Sequence, residues 1–152
     1  RVVFDRAQRR VTDHVNELDE TVGAALLRPT RIYVRPIVEL LRRYRVKRPI
    51  RGMAHITGGG LEGNIPRVLP PGTAVEVRKG SWPVPPVFDW LAKLGPVEEA
   101  EMYRVFNMGI GFVLIVREAF ADSITRQLER AGERVYAIGR VVKSKRRELR
   151  FR

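Results

Sequence analysis

Residues 55–69 read HITGGGLEGNIPRVL, and their types and order suit anion chemistry. A strand-like segment leads into three consecutive glycines, Gly58, Gly59 and Gly60, at the head of a short helical stretch from Leu61 to Leu69. Glycine lets the backbone come close to a ligand and turns successive N–H groups into one concavity. A helix start adds partial positive charge there. Arg67 offers a two-pronged clamp for phosphate, and Asn64 a neutral amide donor and acceptor. His55, beside the loop, suits proton transfer or ligand orientation, and a lone histidine at a strand end equally serves as a structural hydrogen-bonder. The residue order matches neither G-x-x-x-x-G-K-[ST] nor G-x-G-x-x-G after its strand. On these residues alone, the segment is either a phosphate- or carboxylate-binding loop or a tight turn whose glycines serve packing.

A second cluster, FNMGIGFVLIV, places Asn107, Gly109 and Gly111 at the entry to an apolar run. Glycines there allow close approach to a ligand or to a neighbouring strand. Glu98 and Glu101 share one face of a helical segment and read as solvated carboxylates. Trp82 and Trp90 flank a proline-rich helix entry and read as packing residues. The two histidines, His14 and His55, lie far apart and the chain has no cysteine, so no metal site built from this chain's side chains is expected. Disulfides are excluded on the same ground.

The elements that must hold these residues follow from periodicity. VTDHVNELDE is polar and irregular, after an opening RVVFDRAQRR that suits a helix end or a short strand. LDETVGAALLRPT starts a helix with Asp19 or Thr21 as N-cap, and Pro29 stops it. IYVRPIVELLRRYRV puts Ile37, Leu40, Leu41 and Tyr44 on one helical stripe, with Pro36 in the first turn. Arg51–Thr57 and the alternating TAVEVRKG read as strands. A helix carrying Val87, Phe88, Leu91 and Leu94 inward ends at Gly95, and VEEAEMYRVF makes another with acidic residues in its first turn. MGIGFVLIV is a continuous apolar run, which predicts a central buried strand. AFADSITRQLERAG is an amphipathic helix closed by Gly132, and RVYAIGRVV is a final strand. Alternating helices and strands predict a layered α/β domain, with strand directions left open.

Composition narrows the classes. The chain has 152 residues, 44% hydrophobic and 30% charged, which is a globular balance and enough for a core. No apolar run approaches the roughly 18–20 residues of a membrane span, and no signal pattern opens the chain, so a soluble, cytoplasmic protein is expected. Residue 1 is Arg, which suggests a start inside a longer protein. The net charge is +12, and seven of the basic residues follow Gly139 against one Glu. RRYRVKRPIR is a second basic run. Neither run shows exposed aromatic interleaving for base stacking. A solvated basic surface is the preferred reading, and a stand-alone module binding phosphate or nucleic acid is the alternative.

Four blocks in order, LLRPTRIYV, GMAHITGGGLEGNIPRVLP, the tryptophan helix ending LAKLG, and EMYRVFNMGIGFVLIV, resemble the C-terminal domain of the phosphoribosylformylglycinamidine cyclo-ligase family, the aminoimidazole ribonucleotide synthetases. They cover most of residues 20–140. The resemblance implies a layered α/β/α domain with a mixed sheet. It implies an ATP-dependent closure of the imidazole ring of formylglycinamidine ribonucleotide, with magnesium offsetting the triphosphate charge. ATP and magnesium would be held mainly by an N-terminal domain that also forms a homodimer, so this chain alone would be inactive. Residues 1–30 would be a lead-in from that N-terminal domain, 31–142 the C-terminal domain and 143–152 a basic tail. Gly58, Gly59, Gly60, Asn64 and Arg67 would touch the phosphorylated substrate or nucleotide, with His55 as a catalytic candidate and Asn107, Gly109 and Gly111 as a secondary loop. Another member of the same ATP-dependent superfamily is the remaining alternative. The basic tail departs from the family's usual pattern and suits an edge strand, a disordered end or a contact surface.

Overall fold

The computed structural model describes all 152 residues. Strands fall into three small sheets. β1 (His14–Val15) and β2 (Glu20–Thr21) form a short hairpin, and α1 (Val22–Leu26) follows directly. Thr21 is the N-cap: its hydroxyl accepts the Ala24 N–H at 3.2 Å. Asp19 instead occupies the hairpin turn at φ +53°. The lead-in is therefore more ordered than its polarity suggests. Val3, Val15 and Val22 close over Trp90 in a small separate core.

α2 (Val34–Arg43) carries the expected stripe only in part. Leu40 is fully buried against Ile124 and Leu128, with Tyr44 half-buried beside it, whereas Leu41 is exposed. The reason is that α2 packs along one strip, against α6 (Ala121–Arg130) and the small core that α6 shares with Ile50, Leu114 and Val116.

β3 (Ile50–His55) pairs antiparallel with β5 (Phe112–Val116), in a register that sets His55 opposite Phe112 and Ala54 opposite Val113. The expectation of a central, buried strand at 108–116 is corrected here. β5 has β3 as its one partner, and Val113 is its one buried residue. Its other edge faces the extended segment 133–138 across an apolar cleft of about 840 Å³. The run is apolar because Val113 and Ile115 meet the main core while Leu114 and Val116 pack on the small core of Leu40, Ile124 and Leu128. RVYAIGRVV correspondingly becomes a strand only from Gly139 onward.

β4 (Thr73–Val77) is the middle of a mixed sheet, antiparallel to β6 (Gly139–Lys143) and parallel to β7 (Leu149–Phe151). β6 is thus not the last strand, and the basic tail forms an edge strand. Leu149 and Phe151 pack on the main core while the arginines between and after them point outward. The same core takes Leu61 from α3 (Gly60–Asn64), Ile65 and Leu69 just after it, Val75 and Val77 from β4, and Met102 and Tyr103 from α5 (Glu99–Val105). α4 (Pro86–Leu94) lies between the two larger cores and ends at Gly95, whose N–H reaches the Leu91 carbonyl at 3.1 Å. Trp82 and Trp90 are both buried, and the Trp82 indole N–H donates to the Met108 carbonyl at 2.9 Å. No helix is long and apolar enough to cross a membrane. The fold is mixed α/β with a mixed sheet, as the resemblance implies.

Candidate functional site

β3 and β5 deliver both glycine segments to the same end of their ladder. The Ile56 N–H donates to the Gly111 carbonyl at 2.9 Å, one residue beyond the His55–Phe112 pair. Past that point the chains diverge into the loop 57–60 and the loop 107–111. Gly60 is what lets them lie together. It sits at φ +56°, and a Cβ there would stand 2.2 Å from the Tyr103 carbonyl oxygen and 2.7 Å from that of Phe106. The end of α5 and the start of α3 thus meet backbone to backbone, which no side chain permits.

Asn64 explains the direction of the loop's dipoles. It is buried, and its amide nitrogen donates to the Gly60 carbonyl at 2.8 Å and the Gly58 carbonyl at 3.2 Å, with Thr57 at 3.4 Å. The Gly60 N–H also turns back to the Thr57 carbonyl at 3.2 Å. In a trans peptide the N–H points opposite to the C=O of the same unit. Carbonyls gathered around Asn64 therefore send the N–H groups of Gly58, Gly59 and Leu61 the other way, and none of the three meets an acceptor in the chain; Gly58 and Gly59 are exposed, whereas Leu61 is fully buried. Asn64 is a brace inside the loop, with its donor already committed, and the free donors are backbone.

Arg67 follows in a tight helical turn, Ile65–Val68, exposed and without an ion-pair or hydrogen-bond partner. His55 is exposed, and its ring lies 5.9 Å edge-on from Tyr33 and 6.1 Å from Phe112. No carboxylate or carbonyl orients the imidazole. In the second loop, Asn107 accepts the Gly109 N–H on its side-chain oxygen at 3.0 Å, and Gly109 packs against Pro85 at φ +93°. That loop is a fixed turn held from below by Trp82.

Tyr33 is the site residue that periodicity missed, since nothing distinguishes it from the helix entry that follows. Its hydroxyl lies directly over Gly111, where a Cβ would stand 2.0 Å away. Burial pushes its phenol above the ordinary value, with Glu133 adding to the rise and Arg31 opposing it. Arg31 itself is clamped at 2.7 Å to Glu133 and at 2.7 Å to the Gly132 carbonyl. Tyr33 is thus a neutral hydroxyl donor beside His55. The chain carries no cluster of three or more His, Cys, Asp or Glu side chains placed to hold a metal ion.

An α/β domain whose two glycine loops close one end of a strand pair, with outward backbone donors and a histidine and tyrosine beside them, is the class these features define. The chain belongs to the family described as AIR synthase related protein, C-terminal domain, whose model matches residues 6–152. It is 43% identical over 144 residues, 95% of its length, to the phosphoribosylformylglycinamidine cyclo-ligase of Syntrophus aciditrophicus, and covers 40% of that protein. It is 54% identical over 125 residues, 82% of its length, to the cyclo-ligase of the same name from Desulfitobacterium hafniense, covering 36% of it. For the Bacillus cytotoxicus cyclo-ligase the figures are 46% over 143 residues, 94% of the chain and 40% of the relative. The chain spans about two fifths of the length of these relatives.

Proposed function

We propose that this chain forms one wall of an ATP-dependent cyclo-ligase site, and that residues 57–61 hold a phosphate group of the ribonucleotide substrate or of ATP. The observation that carries the reading is the pair of outward N–H groups at the exposed Gly58 and Gly59, in a chain whose relatives bear the cyclo-ligase name. Backbone donors fixed by an internal brace need no reorganisation to receive a phosphate, and Arg67 adds a mobile charge beside them.

In this reading the formyl oxygen of formylglycinamidine ribonucleotide attacks the terminal phosphorus of ATP, and ADP leaves. A substrate nitrogen then attacks the activated carbon and loses its proton, and the carbon–oxygen bond breaks to release phosphate as the imidazole closes. The loop holds phosphate in place through both steps. His55 is the group positioned to take the proton, and Tyr33 donates a hydrogen bond next to it. Magnesium would offset triphosphate charge, held in this reading mainly outside this chain. The rest of the protein would be an N-terminal domain holding most of the ATP and forming a homodimer in the cytoplasm.

The isolated chain, mixed with substrate, ATP and magnesium, is expected to give no turnover. Robust turnover would overturn the half-site reading. Titrating labelled chain with formylglycinamidine ribonucleotide should move the amide signals of Gly58 and Gly59 and of residues 107–111. Unmoved amides there would remove the loop's assigned role.

A further inference from the structure

The outer face of the mixed sheet carries a second anion site, unrelated to the glycine loops. The ladder sets Arg140 of β6 directly across from Glu76 of β4, and β7 brings Arg152 to the same carboxylate from the other side. Glu76 Oε2 accepts from Arg140 Nε at 3.1 Å, and Oε1 from Arg152 at 2.5 Å. Arg78 and Lys79 follow directly after β4, and the four cations, Glu76 and Gly139 line a hollow of about 460 Å³ with no hydrophobic residue in its lining.

Charge decides what this hollow is for. Glu76 is 7% exposed in its side chain and sits beneath its two arginines, which are 73% and 61% exposed. One carboxylate is shared between two guanidiniums. Each of these has five N–H groups, so most of each fork stays free and faces solvent. Lys79 is taken by Glu99 at 2.7 Å and lies over the Tyr103 ring. Arg78 has one long bond, 3.4 Å, to the Ala137 carbonyl, and no carboxylate. Like charges set side by side on a sheet destabilise it, and here a concavity gathers them with one lining counter-charge. The buried carboxylate fixes the direction of two forks in the way a ligand-positioning group does.

We propose that this hollow binds a chain of two or more phosphates, free or as the phosphate end of a nucleotide. The volume falls within the range of small-molecule sites, roughly 300–1,000 Å³, and is too small for a duplex groove partner. The lining selects the phosphates themselves. No aromatic or aliphatic side chain is present to hold a base, so the organic part of the ligand stays outside. The site is separate from the catalytic wall proposed above: Lys79 meets Glu99 at the first turn of α5, whereas Gly60 meets the carbonyls at its last turn.

The test titrates the labelled 152-residue chain with inorganic tripolyphosphate at fixed ionic strength, reading the side-chain Nε–H signals of Arg78, Arg140 and Arg152. These signals are expected to shift, and ATP is expected to shift them alike. The pair Arg78→Ala with Arg140→Ala leaves Arg152 on Glu76 and should weaken tripolyphosphate binding roughly tenfold or more, since charge-assisted hydrogen bonds are lost. A charge-matched control, Arg42→Ala with Arg43→Ala on the exposed end of α2, should leave affinity within about twofold, because separated surface charges are screened. Equal weakening by both pairs would reduce the site to overall charge and overturn the proposal. Shifts by tripolyphosphate confined to amides 57–61 would also overturn it, without touching the reading of the glycine loop.

Discussion

The loop at 57–61 and the charged face around Glu76 both leave N–H donors unpaired, by opposite constructions. In the loop the donors are backbone N–H groups, and the one polar side chain, Asn64, is turned inward to hold the carbonyls. On the sheet the donors are long flexible side chains, and the one inward group is a carboxylate that holds two of them. A backbone site is set by conformation, so it fails when φ or packing is disturbed and is indifferent to salt. A side-chain site is set by charge, so it survives small changes in shape and weakens as screening rises.

The largest effect belongs to Gly60→Ala. Its Cβ would drive into two backbone carbonyls, and its φ of +56° is strained for alanine. Backbone strain plus overpacking against atoms that cannot rotate away predicts a loss of roughly 2–5 kcal/mol in urea denaturation. The loss should be the same at low and high salt. A Gly60→Ala protein of unchanged midpoint would mean that the end of α5 yields, and that the loop is not fixed by this contact.

These two constructions differed in how much of them the sequence disclosed. The glycine run and its strand mark a place where the backbone needs close approach, and the sequence alone left an anion loop and a packing turn side by side; at Gly60 the approach is to the carbonyls of α5. Asn64 was legible as a polar residue in the right place but not in its direction. Its inward turn depends on carbonyls that only the folded loop gathers. The charged face was not legible at all. Glu76 lies in an alternating strand like any solvent-facing residue, and its burial arises from Arg140 and Arg152, which are 64 and 76 residues away in sequence. The continuous apolar run of β5 misled for a related reason: apolar character reports burial against something, and cores on both faces of a two-stranded pair satisfy it without a central position in a sheet.

A smaller effect is expected at Glu76→Gln, which keeps the shape and removes the counter-charge. The two arginines are largely exposed, so water and salt already screen them, and the loss is expected to be about 1 kcal/mol at low ionic strength. Raising the salt should shrink the difference from the parent chain, in contrast to Gly60→Ala. A difference that stays constant across salt would show the carboxylate acting through packing and hydrogen bonding, and the contrast between the two regions would narrow.

The smallest effect comes from the tyrosine that stands at each region, and it appears only in alkali. Tyr33 lies over the loop at Gly111, while Tyr103 lies under Lys79 beside the charged face. Both phenols are pushed above the ordinary 10.0, first by burial, then by Glu133 at Tyr33 and Glu99 at Tyr103, with Arg31 and Lys79 opposing and Asp89 adding to the rise at Tyr103. In that window the unfolded chain has released the proton and the folded chain still holds it. The unfolded state therefore binds fewer protons, and stability falls as pH rises. Each tyrosine's contribution is whole below the unfolded value and is lost as pH climbs through the folded one. Tyr33→Phe keeps the ring contacts with His55 and Phe112 and should change little at neutral pH. From about pH 10 upward it should make the decline of the urea midpoint shallower without abolishing it, because Tyr103 still titrates. An alkaline limb identical to the parent's would place the Tyr33 hydroxyl in open water, and with that it would lose its claim to a place in the site.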